Sequence, residues 1–335
     1  TNREIGISTW IDTFVEEEGS ITVPGRLLSE FVASLPSERI DIVMTPGTSV
    51  LQLTCGHFQT RINGTDAEEF PPILKVEEGM IAKLDSQTLK TAISQVVFVA
   101  ATDEARPLLS GGKLELKDDQ FTLIAADGFR FAVHRGRLGE PIKEAVSVII
   151  PGKTLTELRR LLSHQDGSVT LTITPNLGQV LFHLTSTDLV SQLIQGTFPK
   201  YAQLIPQSYR TRTVFDLQEF LRSVKTAAIF ARGGSGTVRL QIIPTGESAS
   251  GACPGKVVIS AKTEEMSENT VEVDASIEGE ESKIAFDSEY LLEVLSVMDQ
   301  DKVALEITTN SGPGVFKPIG SDAYIHVVMP ISYTA

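Results

Sequence analysis

The chain has 335 residues, 41% hydrophobic and 21% charged, with 29 Lys and Arg against 43 Asp and Glu. That length predicts about two to three domains at roughly 150 residues each, and the composition excludes disordered and fibrous classes. No apolar run approaches the roughly 18 residues that a membrane span needs, the first residues lack the pattern of a signal peptide, and the net charge of −14 argues against a surface that is basic all over. A local basic patch on an acidic body is still compatible with that charge. Cys55 and Cys253 cannot build a disulfide framework, and no Cys/His cluster has metal-ligand spacing. The expectation is a cytoplasmic chain with no metal, no cofactor and no membrane partner.

Val23-Pro24-Gly25-Arg26 opens the first predicted helix, because proline in a first turn is a helix-start signal. Residues 40–53 then read as a hairpin turning at Thr45-Pro46-Gly47, and this stretch closes on Phe70-Pro71. Residues 84–101 read as an amphipathic helix leading into strands, with Asp127-Gly128 as a tight turn between two apolar runs. Ile150-Pro151-Gly152 opens another helix, residues 169–184 another hairpin turning at 175–178, and Phe198-Pro199 another close. Residues 215–231 form the next amphipathic helix, with strands reaching Ala261-Lys262-Thr263 and a long loop at 247–255. A last helix begins at Phe286-Asp287, and a last hairpin over 303–315 turns at Ser311-Gly312-Pro313-Gly314 before Met329-Pro330 closes the series.

These landmarks recur. Pro24, Pro151 and Asp287 start matching helices, and Pro71, Pro199 and Pro330 close matching units, giving a repeat of about 130 residues. Strands and helices in blocks predict an α+β fold of antiparallel sheets with helices on one face. The domains are placed at 1–79, 80–206 and 207–335, with boundaries in the polar stretches at 76–79 and 207–208. Thr1-Asn2-Arg3-Glu4 aligns with Asp127-Gly128-Phe129-Arg130, so the sequence is expected to begin inside its first repeat, without a helix and its neighbouring strands.

A catalytic constellation is not legible. His57, His183 and His326 fall in strand-like runs, and none of the five histidines pairs with a nucleophile elbow or an HExxH motif. Gly233-Gly234-Ser235-Gly236 lacks the following Lys-Ser/Thr of a phosphate loop, and Glu16-Glu17-Glu18 reads as a solvated run. A binding protein is favoured over an enzyme.

The segment Ala126-Asp127-Gly128-Phe129-Arg130-Phe131-Ala132 resembles the TDGHRLA segment of the β subunit of bacterial DNA polymerase III, the sliding clamp family. Arg106-Pro107-Leu108-Leu109-Ser110-Gly111, Gly196-Thr197-Phe198-Pro199-Lys200-Tyr201 and Tyr324-Ile325-His326-Val327-Val328-Met329-Pro330-Ile331 extend the resemblance along the chain. It implies three clamp domains and a head-to-tail homodimer, domain one of each copy meeting domain three of the other. Helices would line the hole of the ring and sheets would form its outer wall. Double-stranded DNA would pass through without sequence readout, since phosphate contacts without base contacts leave the ring free to slide. The runner-up is a cytoplasmic scaffold of the same fold that binds peptides and does not encircle DNA.

On this resemblance the DNA-facing residues are Arg26, Lys153, Arg159, Arg160, Arg222 and Lys225. The helix from Asp287 to Asp299 breaks the pattern, carrying Asp287, Glu289, Glu293 and Asp299 and no cation. Surface ion pairing remains open as an alternative role for any one cation. A groove for short linear peptides from the replicative polymerase, the clamp loader, other polymerases and repair proteins is implied at Leu109, Ala126, Gly128, Phe129, Arg130, Phe131, Pro199, Gln203, Leu204, Val238, Tyr290, Val328, Met329, Pro330 and Ile331. Ala126 stands where the family motif has threonine and Phe129 where it has histidine, and the tail at 332–335 runs long. Thr60, Ile62, Ile229 and Phe230 are the implied dimer contacts, although a buried helix face would look identical to the Ile229–Phe230 pair in sequence.

Overall fold

The structure, a computed structural model, describes residues 4–45, 47–72, 76, 78–103, 105–246, 251–263 and 267–332. Expectations at residues 1–3, Pro46, Glu77, 247–250 and 333–335 lie outside the described residues. The chain divides into two compact units, residues 1–75 with 186–190 and residues 76–185 with 191–335.

One element order recurs through the chain: a strand, a helix, then three antiparallel strands. In the first unit it is Ile5–Thr9, helix α1 (Gly25–Ser34), and Asp41–Met44, Val50–Cys55 and Phe58–Asn63. Leu51, Leu53 and Ile62 alternate inward from those strands, and Leu28 and Phe31 of α1 pack against them. Pro24 starts α1 with its fixed φ, as the sequence pattern predicts. No residue of α1 is fully buried. The stretch 186–190 joins this unit through Trp10, whose backbone N–H donates to the Ser186 carbonyl at 2.9 Å.

The same order appears four more times in the rest of the chain. The strand Met80–Asp85 leads to α2 (Ser86–Val96) and the strands Gly111–Lys117, Gln120–Ala126 and Arg130–Arg137. Val146–Pro151 leads to α3 (Gly152–Leu161) and the strands Ser168–Ile173, Gln179–His183 and Thr187–Gln192. Thr211–Asp216 leads to α4 (Leu217–Arg232) and the strands Thr237–Pro244, Cys253–Lys262 and Glu268–Gly279. Ser282–Asp287 leads to α5 (Ser288–Ser296) and the strands Lys302–Ile307, Gly314–Pro318 and Tyr324–Val328. Asp85, Asp216 and Asp287 cap α2, α4 and α5, each accepting a backbone N–H of the first turn. Helix α2 stops at Val96 and continues only as a tight 3₁₀ turn over Val97–Val99, short of the predicted residue 101.

The strand Tyr324–Val328 pairs with Arg130–Arg137 on one side and with Gly314–Pro318 on the other. That pairing joins the four strands between residues 111 and 151 to the eight strands between 211 and 328 in one sheet of twelve strands. A single apolar cluster crosses the seam, with Ile124, Phe131, Val133, Ile149 and Phe198 packed against Val315 and Val327.

Candidate functional site

The seam is where chemistry-bearing side chains converge. Asp127 and Gly128 make the turn before Arg130, with Gly128 at φ +97°, a conformation that glycine adopts without strain. The Asp127 carboxylate accepts the backbone N–H groups of Phe129 at 2.8 Å and Arg130 at 3.0 Å. Its other oxygen accepts the Arg130 Nε at 3.0 Å. Arg130 is only 8% exposed, yet its charge is matched on both sides. Nη1 donates to Glu293 on α5, and the guanidinium lies 4.0 Å from the centre of the Tyr290 ring and 5.5 Å from that of Phe98. Arg106 donates to the Asp127 carbonyl and to the Asp103 carboxylate, which the Ala105 N–H and Arg106 hold below its ordinary pKa.

Phe129 and Met329 sit side by side on the surface of the seam. The Met329 N–H donates to the Phe129 carbonyl at 2.8 Å, and Phe129 and Met329 are 59% and 46% exposed. Exposed apolar side chains of this size, next to a floor of half-buried Leu109 and Ala126 over the seam cluster, make a surface fit for an apolar ligand end. Leu204 is exposed in the short turn Ala202–Leu204. Tyr201 donates to Glu115 at 3.0 Å, and burial beside that carboxylate pushes its phenol up to about 12.

Below the surface the seam holds two buried histidines. His326 shares a hydrogen bond with the Tyr324 hydroxyl at 2.9 Å and stacks on Phe98 at 5.7 Å. Burial, and then the nearby Arg130 charge, push its pKa down to about 3. His134 shares a hydrogen bond with Gln95 of α2 at 2.8 Å, and Gln95 donates to the Val297 carbonyl just past α5. Burial lowers the His134 pKa to about 4 against the opposing pull of Asp299.

The helices carry a separate charge pattern. A cleft of about 450 Å³ between α2 and α3 is lined by Lys90, Ser94, Thr156, Glu157, Arg159, Arg160 and Ser163. Lys153 stands exposed at the start of α3, and Arg160 donates to Glu157 at 2.9 Å. On α4, Arg222 and Lys225 project from the face opposite the buried Phe220, Val224, Ala227 and Ala228. In the first unit, Arg26 is exposed and pairs with Glu30 at 2.7 Å.

Comparison with known proteins bears on all of this. Family models of the DNA polymerase III beta subunit match along the chain: the N-terminal domain at residues 1–74, the central domain at 83–200 and the C-terminal domain at 202–332. The chain belongs to the DNA polymerase III beta subunit family. A beta sliding clamp of Staphylococcus aureus is 30% identical over 319 residues, covering 95% of this chain and 81% of that protein. The beta subunit of Thermotoga maritima superposes with a TM-score of 0.90 at 25% identity, covering all of this chain and 87% of that one. The DNA polymerase sliding clamp of Bacillus subtilis gives 0.88 at 28% identity, covering 99% and 87%. The resemblance read from the motifs and the α+β fold of repeated clamp domains therefore stand. No helix among the described residues is long and apolar enough to cross a membrane.

Not every residue named from the sequence reaches a surface in this family member. Val238 and Val328 are completely buried and Phe131 nearly so; all three lie in paired strands, and Phe131 belongs to the apolar cluster that crosses the seam. Pro330 and Ile331 line a different cavity, of about 680 Å³, with Arg210, Lys283 and Asn310. The Ile331 N–H donates to the Ala285 carbonyl, so the tail adds to the edge strand Ser282–Asp287. Pro199 and Gln203 are exposed. Ile62 is 1% exposed within the core of the first unit, so its side chain is not available for a contact, whereas Thr60 is half-buried. Ile229 is 66% exposed at the end of α4, with Phe230 half-buried beside it. The sequence reading missed Glu293 and Phe98, the partners of Arg130, as well as Lys90 in the helix cleft. Glu293 lay in plain view one helical turn after Tyr290, on the same face of a predicted helix.

Proposed function

We propose that this protein is a processivity clamp: two copies close head to tail into a ring that encircles double-stranded DNA without reading its sequence. The ring has no catalytic role of its own and tethers the replicative polymerase. The clamp loader, other polymerases and repair proteins take turns at the same groove through short linear peptides, and the setting is the cytoplasm. The domains run over 1–79, 80–206 and 207–335. Lys153, Arg159, Arg160, Arg222, Lys225 and Arg26 face the phosphates, while Thr60, Ile229 and Phe230 contribute to the joint between copies.

The observation that carries this reading is the exposed apolar pair Phe129 and Met329, joined by a backbone hydrogen bond on the seam of a chain that matches the clamp family across its length. A solvent-facing aromatic and methionine over a half-buried apolar floor suit the aliphatic or aromatic end of a peptide. Fluorescence anisotropy of a labelled five-residue peptide, glutamine first and Leu-Phe last, tests it. Micromolar binding by the parent is expected, weakened about tenfold by Met329→Ala, or roughly 1.4 kcal/mol. Absence of binding by the folded parent would remove the groove from the proposal.

A further inference from the structure

The buried cation of the seam is already paired with two carboxylates, which the peptide groove alone does not require. The Arg130 side chain is 7% exposed and holds two carboxylates, Asp127 from its own turn and Glu293 from α5. Asp127 and Arg130 belong to residues 80–206, whereas Glu293 and Tyr290 belong to residues 207–335. Glu293 is thus the charged link by which α5 grips the turn that carries Phe129. The Glu293 side chain is itself 46% exposed, so it stands at the border between the buried guanidinium and solvent.

We propose that Glu293 is a positioning residue of the peptide groove, acting through Arg130. Its carboxylate keeps the guanidinium down against the Tyr290 ring and out of the apolar seat formed by Phe129 and Met329. The proposal rests on the peptide-groove reading and adds a residue and a role to it. A guanidinium that loses one of two carboxylates while buried is driven to find another acceptor. Removing the Glu293 charge therefore frees Nη1 to turn outward, toward any anion that a bound peptide presents. In the parent groove the Arg130 charge is already matched by Asp127 and Glu293, and the seat selects by apolar fit.

The distinguishing property is the response to ligand charge, which a purely structural role for Glu293 would not move. The five-residue peptide is prepared with a free C-terminal carboxylate and with a C-terminal amide, and both are titrated against the full chain. Against the parent, the amide is expected to bind at least as well as the acid, because the Arg130 charge is already matched by two carboxylates. Against Glu293→Gln, the amide weakens about fivefold and the acid-to-amide preference swings toward the acid by threefold or more. Glu293→Asp restores part of the parent pattern. Thermal unfolding is followed in parallel for each variant.

Binding by Glu293→Gln that matches the parent for both peptides overturns the proposal. So does an equal loss for both accompanied by a lower melting temperature, since that is what a general loosening of the seam produces. The groove reading is judged separately by Met329→Ala. If Met329→Ala weakens binding and Glu293→Gln does nothing, only the role of Glu293 falls. If the parent binds neither peptide, both fall together.

Discussion

At the scale of single residues, the carboxylate of Asp127 does three jobs at one point. It closes the turn by accepting two backbone N–H groups, and it accepts the Nε of a buried arginine. Gly128 makes the close turn possible, because a Cβ there would meet the Arg106 guanidinium at 3.0 Å while the backbone held φ at +97°. Removing the Asp127 side chain leaves two turn donors without an acceptor and Arg130 with a single carboxylate. The expected cost of Asp127→Ala is about 2–4 kcal/mol, the sum expected for a lost turn cap and a partly unpaired buried charge. Asp127→Asn keeps one oxygen for the backbone donors and should cost less than half as much. Urea unfolding of the two variants beside the parent measures this. An Asp127→Ala variant that unfolds with the parent would show that solvent takes over as acceptor in the turn.

At the scale of elements, the strand Tyr324–Val328 buries a histidine in an environment that admits only its neutral form. His326 falls to about 3 and His134 to about 4, each below the ordinary value near 6.5, because burial penalises the charged ring. The folded state therefore binds fewer protons than the unfolded chain between pH 6.5 and those values. Stability from this source is fully present above about pH 6.5, falls as the pH drops through 5, and stops falling below the folded values. The double variant Tyr324→Phe/His326→Phe removes both members of one buried hydrogen bond together, which should be close to neutral at pH 7. At pH 5 it should gain about 2 kcal/mol on the parent, the cost of keeping one such histidine neutral. Urea midpoints at the two pH values provide the check, and an unchanged difference between parent and variant would refute it. The elements themselves were largely legible beforehand. Pro24 and Pro151 marked helix starts, and alternation over 169–184 and 303–315 marked hairpins, because these signals act within a few residues. The fusion of two sheets by Tyr324–Val328 and Arg130–Arg137 was not legible, since partners so far apart in sequence leave no local period. The acidity of α5, unexplained from sequence, has a structural reason: Asp287 caps the helix, Glu289 lies in its first turn where the dipole favours an anion, and Glu293 meets Arg130.

At the scale of the whole molecule, a net charge of −14 coexists with helices that carry Lys90, Lys153, Arg159, Arg160, Arg222 and Lys225. In the proposed ring the acidic remainder discourages DNA from binding side-on, and the helix cations hold the duplex loosely by its phosphates. Such binding releases counterions, so the binding constant falls with salt at a slope set by the number of phosphates neutralised. Each cation occurs twice in a ring of two copies, which doubles the effect of any substitution. Arg222→Glu/Lys225→Glu should therefore flatten the dependence of retention on a circular duplex between about 50 and about 200 mM salt, by close to one unit of slope for each phosphate left without its cation. Arg26→Ala should change it less, because Arg26 is paired with Glu30 and exposed, the arrangement in which a cation gives least. Lys256→Glu, on a sheet strand where Lys256 already bonds Glu272, should leave the slope alone. Retention that falls to the same extent for the helix and the sheet variant would mean that total charge, and not the helix lining, holds the DNA. A slope unchanged by all three would mean that the protein does not hold DNA through these cations.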